Sequence, residues 1–266
     1  MVKEFFKPAS IEEALDLLSA PGSLALAGGT YALAFEARDK PERVVDIGKA
    51  VPRTIERRGA AVVLGAGATF QEIIESKAAP AVIKAAAASM ANRNTRNRAT
   101  VGGNLGANKS CASLVPVLLA LGASLEAKSR GKPAAVLPLA DWLAKPEGLV
   151  LAVSVPVTAG VRASSLRSSR TACDIATGTA ACACRLEGGK LTGIRIAVGG
   201  FGPHAALRPD LAALFEGKPL PAKADIEKAV LPLLSARADQ RGSAEYKCLR
   251  GAALIADALH AAEELS

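Results

Sequence analysis

Asn92-Arg93-Asn94-Thr95-Arg96-Asn97-Arg98 runs without a break into Ala99-Thr100-Val101-Gly102-Gly103-Asn104. Asn, Arg and Gly at this density predict an irregular loop rather than a core helix. The loop ends in Gly-Gly plus a small hydrogen-bonding residue, a combination that lets a backbone approach a ligand closely. The same combination stands earlier in the chain, where the apolar strand expected over Ser23 to Ala27 enters Gly28-Gly29-Thr30 and a helix is expected from about Tyr31. Here the glycines suit a pyrophosphate, and Thr30 adds a hydroxyl and an amide hydrogen at a helix start. Read alone, Gly28-Gly29-Thr30 serves equally well as a tight strand-to-helix turn. Together the two loops are placed to grip one long dinucleotide from two sides. Neither carries a nucleophile, a general base or a metal cluster, so chemistry at such a site would belong to a cofactor.

Two further glycine clusters imitate nucleotide motifs. Gly103-Asn104-Leu105-Gly106-Ala107-Asn108-Lys109-Ser110 departs from a P-loop at Asn108, where the second glycine should stand, and the polar residues before it are not the buried strand a P-loop follows. Gly65-Ala66-Gly67-Ala68-Thr69-Phe70 follows a strand and opens a helix, but Phe70 replaces the third glycine of a Rossmann fingerprint and no acidic residue stands where the ribose would need one. A capped helix start at Thr69-Phe70-Gln71-Glu72 accounts for it.

Outward from these loops the chain reads as mixed α and β. Ser10-Ile11-Glu12-Glu13 is a capping box ahead of Ile11, Ala14, Leu15 and Leu18 at helical spacing. Pro80 to Met90 is a third helix. Strands are expected around Val44 and Val45, over Ala60 to Leu64, Ala123 to Lys128, Ala134 to Leu137 and Leu149 to Val155, with a short apolar run over Leu114 to Leu121. Beyond residue 160 the texture changes. Val161 to Ser168 and Ala176 to Leu186 read as strands, and Glu187-Gly188-Gly189-Lys190 turns a hairpin into Leu191 to Val198. Helices over Arg208 to Phe215, after Lys223, and from about Ser243 to Glu264 close the chain. The expected organisation is an α+β part over 1–160 and a hairpin-plus-helices part over 161–266.

Composition excludes several classes. With 50% hydrophobic and 22% charged residues the chain is globular rather than disordered. No apolar run approaches the roughly 18 residues of a spanning helix, and Met1 to Pro8 lacks the long apolar segment of a signal peptide. The expectation is a cytoplasmic protein with no membrane association. Five cysteines fit reduced thiols, and Cys182-x-Cys184 lies on a predicted strand with both thiols on one buried face. No metal site and no iron–sulfur ligand set is expected. The net charge of +8 suits a phosphate-bearing ligand or an acidic partner, while the near absence of aromatic residues among the basic ones argues against nucleic acid.

The residues resemble one family along essentially the whole chain: the FAD-binding medium subunits of xanthine dehydrogenase and carbon monoxide dehydrogenase type enzymes. The resemblance runs from Phe5-Phe6-Lys7-Pro8-Ala9-Ser10 and Glu13-Ala14-Leu15 through Leu26-Ala27-Gly28-Gly29-Thr30 and Val45-Asp46-Ile47. It is strongest at Arg96 to Asn104, followed by Leu118-Leu119-Ala120-Leu121-Gly122-Ala123. It continues in Ser169-Arg170, Asp174-Ile175-Ala176, Arg195 to Gly200 and Asp239 to Lys247. It implies an α+β fold, with a two-part FAD-binding domain of the vanillyl-alcohol oxidase type followed by a small domain of a three-stranded sheet plus helices.

By resemblance, Leu26, Ala27, Gly28, Gly29, Thr30, Tyr31, Ala32 and Leu33 would wrap the FAD pyrophosphate. Thr100, Gly102, Gly103 and Asn104 would form the second flavin loop, with Ser113 beyond it. Val150 would lie near the adenine and Ile175 near the isoalloxazine ring. The pattern is broken at three places, since an acid is usual at Tyr31, an Asp at Ser113 and a Lys at Leu166. These changes bear on flavin tuning, on affinity and on whether a nicotinamide docks. The implied activity is that of an oxidoreductase subunit with no catalytic side chain of its own. A molybdenum-cofactor large subunit would oxidise the substrate, a small subunit with [2Fe–2S] clusters would deliver electrons, and FAD would pass them to NAD or another acceptor. A free-standing flavin oxidase of this fold would want an acid or base facing the ring, and none is evident. A flavin-free assembly scaffold of the same fold would be colourless and would still bind the partner subunits.

Overall fold

The computed structural model describes residues 2–34 and 41–264. A first layer contains β1 (Glu4–Phe6), α1 (Ile11–Leu18), β2 (Ser23–Leu26) and β3 (Arg43–Asp46), with the strands parallel in the order β1-β3-β2. Ser10 caps α1 by accepting from the Glu13 amide, while the Glu13 carboxylate accepts from the amide of Ala9 rather than Ser10. The helix expected from Tyr31 is replaced by a turn over 31–34, closed by the amide of Leu33 on the carbonyl of Gly29. The rest of that expectation lies outside the described residues.

The second layer comprises β4 (Ile55–Arg58), β5 (Ala61–Gly65), α2 (Phe70–Glu75), α3 (Ala81–Ala88), α4 (Arg93–Arg96), α5 (Val101–Ala107), α6 (Val115–Ala120), β6 (Ser124–Lys128), β7 (Ala135–Pro138), α7 (Leu139–Ala144) and β8 (Leu149–Pro156). Its antiparallel sheet runs β4-β5-β8-β6-β7. The polar stretch expected to be an irregular loop is two short helices instead. Asn92 caps α4 by accepting from the Thr95 amide, and Thr100 caps α5 by accepting from the Gly103 amide. Asn and Thr are the residue types that satisfy orphan amides at helix starts, so their density here marked beginnings of helices. Glycine is required at 102 inside α5, since a Cβ there would stand 2.9 Å from Ala66 Cβ, closer than a side chain permits. The apolar run after it forms α6, buried on every side, which removes the polar face an amphipathic helix would show.

The last layer holds β9 (Arg162–Ser168), β10 (Gly178–Glu187), β11 (Lys190–Gly199), β12 (Ala206–Leu207), α8 (Pro209–Ala213), α9 (Lys223–Val230) and α10 (Ala244–Glu264). Its antiparallel sheet is four-stranded, in the order β12-β11-β10-β9. Three long strands carry it and the two-residue β12 is an added edge. Gly188 at φ +58° and Gly189 at φ +76° make the left-handed turn that matches the twist of the β10–β11 hairpin. Strand alternation then divides β10 between two cores. Ala180, Cys182 and Cys184 join the apolar cluster with α9 and α10, whereas Ala181 and Ala183 join the cluster of the second layer around α6. No helix among the described residues is long and apolar enough to cross a membrane.

Candidate functional site

The two Gly-Gly segments meet. Gly28 sits so close to the backbone before α5 that a Cβ on it would stand 1.7 Å from the Arg98 carbonyl oxygen. Arg98 Nε in turn donates to the Gly28 carbonyl at 3.0 Å, clasping segments 70 residues apart. Gly29 turns the chain at φ +74°, a left-handed conformation that L side chains rarely adopt. Beyond it, Tyr31 receives the Lys109 ammonium over its ring, 4.5 Å from the centroid, which ties this loop to the far end of α5.

The two segments differ in what they offer a ligand. Among the described residues, the amides of Gly28, Gly29, Thr30, Tyr31 and Ala32 donate to no acceptor in the protein. Residues 26–34 and 98–113 contain no acidic side chain, while Arg98 and Lys109 bring positive charge. This fits a pyrophosphate, which needs convergent N–H donors and no competing carboxylate. In α5 the first amides are already used, Val101 to the Ala68 carbonyl at 2.9 Å and Gly102 to the Ala66 carbonyl at 2.8 Å, with Gly103 taken by Thr100 Oγ1 at 3.1 Å. What α5 presents is a bare surface. Gly103 and Gly106 are exposed, and nothing lies within 4 Å of where a Cβ on Gly106 would stand. A flat ring system can lie against such a helix face.

The remaining expected residues connect to this pair. Asn104 Oδ1 accepts from the Leu114 amide at 3.2 Å, which holds Ser113 beside α5. Val150 is buried at the start of β8; its neighbour Leu151 takes the Ala66 amide at 2.8 Å, and Ala66 in turn takes Gly102. Leu26 is buried at the end of β2 and Ala27 is half-buried, while Thr30 and Leu33 are exposed, with Ala32 half-buried between them. Ile175 comes from the last layer, on the loop between β9 and β10, and leaves 56% of its surface exposed. Arg241 brings that loop to the others, reaching Ala176 O and Cys111 Sγ, each at 3.4 Å.

Sequence reading passed over Arg98, Lys109, Arg167 and Arg241 as individual residues of the site. Nothing in their spacing signals a role, because the contacts that tie each to a distant segment reach 65 residues or more along the chain. The cysteines fall as alternation predicted. Cys182 and Cys184 are buried in β10, and burial pushes both thiols above their ordinary range.

Residues 1–158 match the family described as FAD binding domain in molybdopterin dehydrogenase, and residues 166–262 match the CO dehydrogenase flavoprotein C-terminal domain. The chain belongs to this FAD-binding family. Its cofactor is FAD, and the family is one of oxidoreductases. The nicotine 6-hydroxylase medium subunit of Paenarthrobacter nicotinovorans is 32% identical over 264 residues, covering 91% of each chain. YgfM of Escherichia coli K12 is 28% identical over 260 residues, covering 97% of this chain and 95% of its own. Among solved structures, a carbon monoxide dehydrogenase from Hydrogenophaga pseudoflava that lacks the Mo-pyranopterin moiety superimposes with a TM-score of 0.91 at 26% identity, over 99% of this chain and 98% of its own. The FAD-binding family fold therefore extends over both parts of the chain, as the quoted motifs implied.

Proposed function

We infer that this chain is the flavin-bearing medium subunit of a molybdenum hydroxylase, taking electrons from a [2Fe–2S] small subunit and passing them to NAD or another acceptor. A molybdenum-cofactor large subunit completes the assembly. Residues 1–160 form the FAD-binding unit and 161–266 the small domain that closes on it. The reading rests chiefly on the run of amides from Gly28 to Ala32 that meet no acceptor among the described residues, clasped by Arg98 to the segment that opens α5. Leu26 to Leu33 wrap the pyrophosphate. Thr100, Gly102, Gly103 and Asn104, with Ser113, form the surface under the flavin, Val150 flanks the adenine, and Ile175 meets the isoalloxazine. Bound there, FAD supplies exchange of one or two electrons, and the protein supplies position and electrostatics. A relative that is the medium subunit of nicotine 6-hydroxylase supports the partner assignment.

The purified chain should titrate with FAD to one flavin per chain. Gly28→Ala should weaken that binding about a hundredfold, since the new methyl must displace the Arg98 backbone at a cost of about 1–3 kcal/mol and disturb the adjoining amides. With the partner subunits present, substrate should bleach the flavin band only when this chain carries FAD. A complex that delivers electrons to its acceptor equally well with the flavin-free chain would defeat the reading.

A further inference from the structure

The loop Ser169–Thr177, which carries Ile175, is held at both ends by arginines that also reach the FAD-binding part. At its start, Arg167 on β9 divides its two terminal nitrogens between the two parts of the protein. Nη1 donates to the Ser89 carbonyl at the end of α3. Nη2 donates to Ser169 Oγ at 2.6 Å, Thr171 O at 3.0 Å and Ala172 O at 2.9 Å. At the loop's end, Arg241 Nη1 reaches Ala176 O in the loop and Cys111 Sγ in the segment leading to Ser113. Its other nitrogens are anchored on Asp239, which Lys247 also holds, at 2.8 Å. Between the clamps, Cys173 and Ile175 are exposed, and Asp174 meets Arg170 at 3.3 Å. The loop has few bonds of its own. Its described amide bonds are Asp174 to Thr171 O at 3.4 Å and Thr177 to Ser168 O at 2.8 Å.

We propose that Arg167 and Arg241 are positioning residues that hold the Ser169–Thr177 loop against the FAD-binding part and thereby set where Ile175 stands at the flavin. This rests on the placement of Ile175 at the isoalloxazine in the reading above. A guanidinium is suited to the task because its donors are spread over a rigid plane: Arg167 uses separate nitrogens for the two bodies, and Arg241 bridges them through Nη1 while its other nitrogens stay fixed on Asp239, a span wider than the point donor of a lysine covers. Neither residue touches the reacting atoms, so each acts through the loop.

The test uses the full chain loaded with FAD, as wild type and as Arg167→Lys, Arg241→Lys and Ile175→Ala. Lysine keeps the charge, and at position 241 it keeps the pairing with Asp239, so what is lost is the span between the two parts. Two quantities are read: hydrogen–deuterium exchange at the amides of Asp174 and Thr177, and the visible absorption band and affinity of bound FAD. Each lysine variant should exchange at these amides about tenfold faster, the scale of one lost charge-assisted hydrogen bond, and should shift the flavin band in the same sense as Ile175→Ala. Unchanged exchange in both lysine variants would overturn the clamp. Faster exchange with an unmoved flavin band, while Ile175→Ala does move it, would overturn the link from clamp to flavin. An Ile175→Ala chain with wild-type flavin band and affinity would instead remove the placement of Ile175, a failure of the underlying reading. Arg241→Lys probes the opposite end of the loop, so the proposal stays testable if Arg167→Lys does not fold.

Discussion

Lys247 is buried on α10 with 3% of its side chain exposed, and its ammonium is met by the Asp239 carboxylate at 2.8 Å and the Arg237 carbonyl at 2.9 Å. Asp239 also accepts from the Arg241 guanidinium and amide. The Arg241 hydrogen bond, with Lys247 adding to it against the cost of burial, holds this carboxyl well below the usual carboxylate range. Its stabilising contribution is therefore complete above the ordinary Asp value of about 4 and is lost as pH falls through the lower folded value. Asp239→Asn should cost about 3 kcal/mol at neutral pH, because it strands a buried ammonium. In urea denaturation across a pH series, the gap to wild type should stay constant down to about pH 5 and narrow below about pH 4. At the same scale, part of the basic surplus acts inside the protein. Sequence reading assigned it to a phosphate-bearing ligand or an acidic partner, yet several of the arginines in it close helix ends. Arg96 takes the carbonyls of Ala88, Met90 and Ala91 after α3, and Arg195 takes that of Leu119 near the end of α6. Carbonyls orphaned at a helix C-terminus are a natural destination for a cation.

Among the elements, α5 departs furthest from its sequence expectation. A helix of seven residues containing Gly102, Gly103 and Gly106 has poor intrinsic propensity, each glycine costing about 1 kcal/mol relative to Ala. It forms because Thr100 caps it and because the Gly65–Ala68 segment accepts its first amides, Val101 to Ala68 O and Gly102 to Ala66 O. The stretch first weighed as a Rossmann-like loop is thus the seat for α5. Thr100→Val keeps the shape but removes the hydroxyl acceptor, and should lower stability by about 1 kcal/mol. Thr100→Ser should restore most of it, both read from denaturant midpoints. The arrangement also disposes of the P-loop resemblance, since Gly103 to Ala107 are helical and do not wrap a phosphate.

At the scale of the whole molecule, the β9–β12 sheet joins the two parts through small side chains. One face of β10 gives Ala181 and Ala183 to the core around α6, and the other gives Ala180, Cys182 and Cys184 to the core under α10. Arg195 and the contacts of Ser110 with Gly200 add polar stitches across the same junction, Gly200 donating to Ser110 O at 2.9 Å. Ala181→Leu would push α6 away from the sheet and should cost about 1–3 kcal/mol by overpacking. Because α6 follows directly on the segment bearing Ser113, the same variant should also weaken FAD binding, measured by flavin titration. A variant that matches wild type in both would mean that the junction yields without disturbing the site.

Local physics made much of this chain legible in advance. The caps at Ser10 and Thr69, the alternation in β10, the Gly188-Gly189 hairpin and the buried Cys182 and Cys184 depend on neighbours a few residues away, so the sequence alone determined them. The Gly-Gly motifs likewise marked where two segments approach closely, because close backbone approach demands glycine wherever it occurs. Only the tertiary structure decided that the second Gly-Gly segment is a helix and that Arg98 clasps Gly28. It also decided that Arg167 and Arg241 draw the Ile175 loop toward the FAD-binding part. These outcomes turn on distant partners: Ala68 seats Val101 from 33 residues away, Ala176 lies 65 residues from Arg241, and Ser89 lies 78 from Arg167. A side chain's destination over such a span is set by how whole layers dock, which no local pattern of residues records.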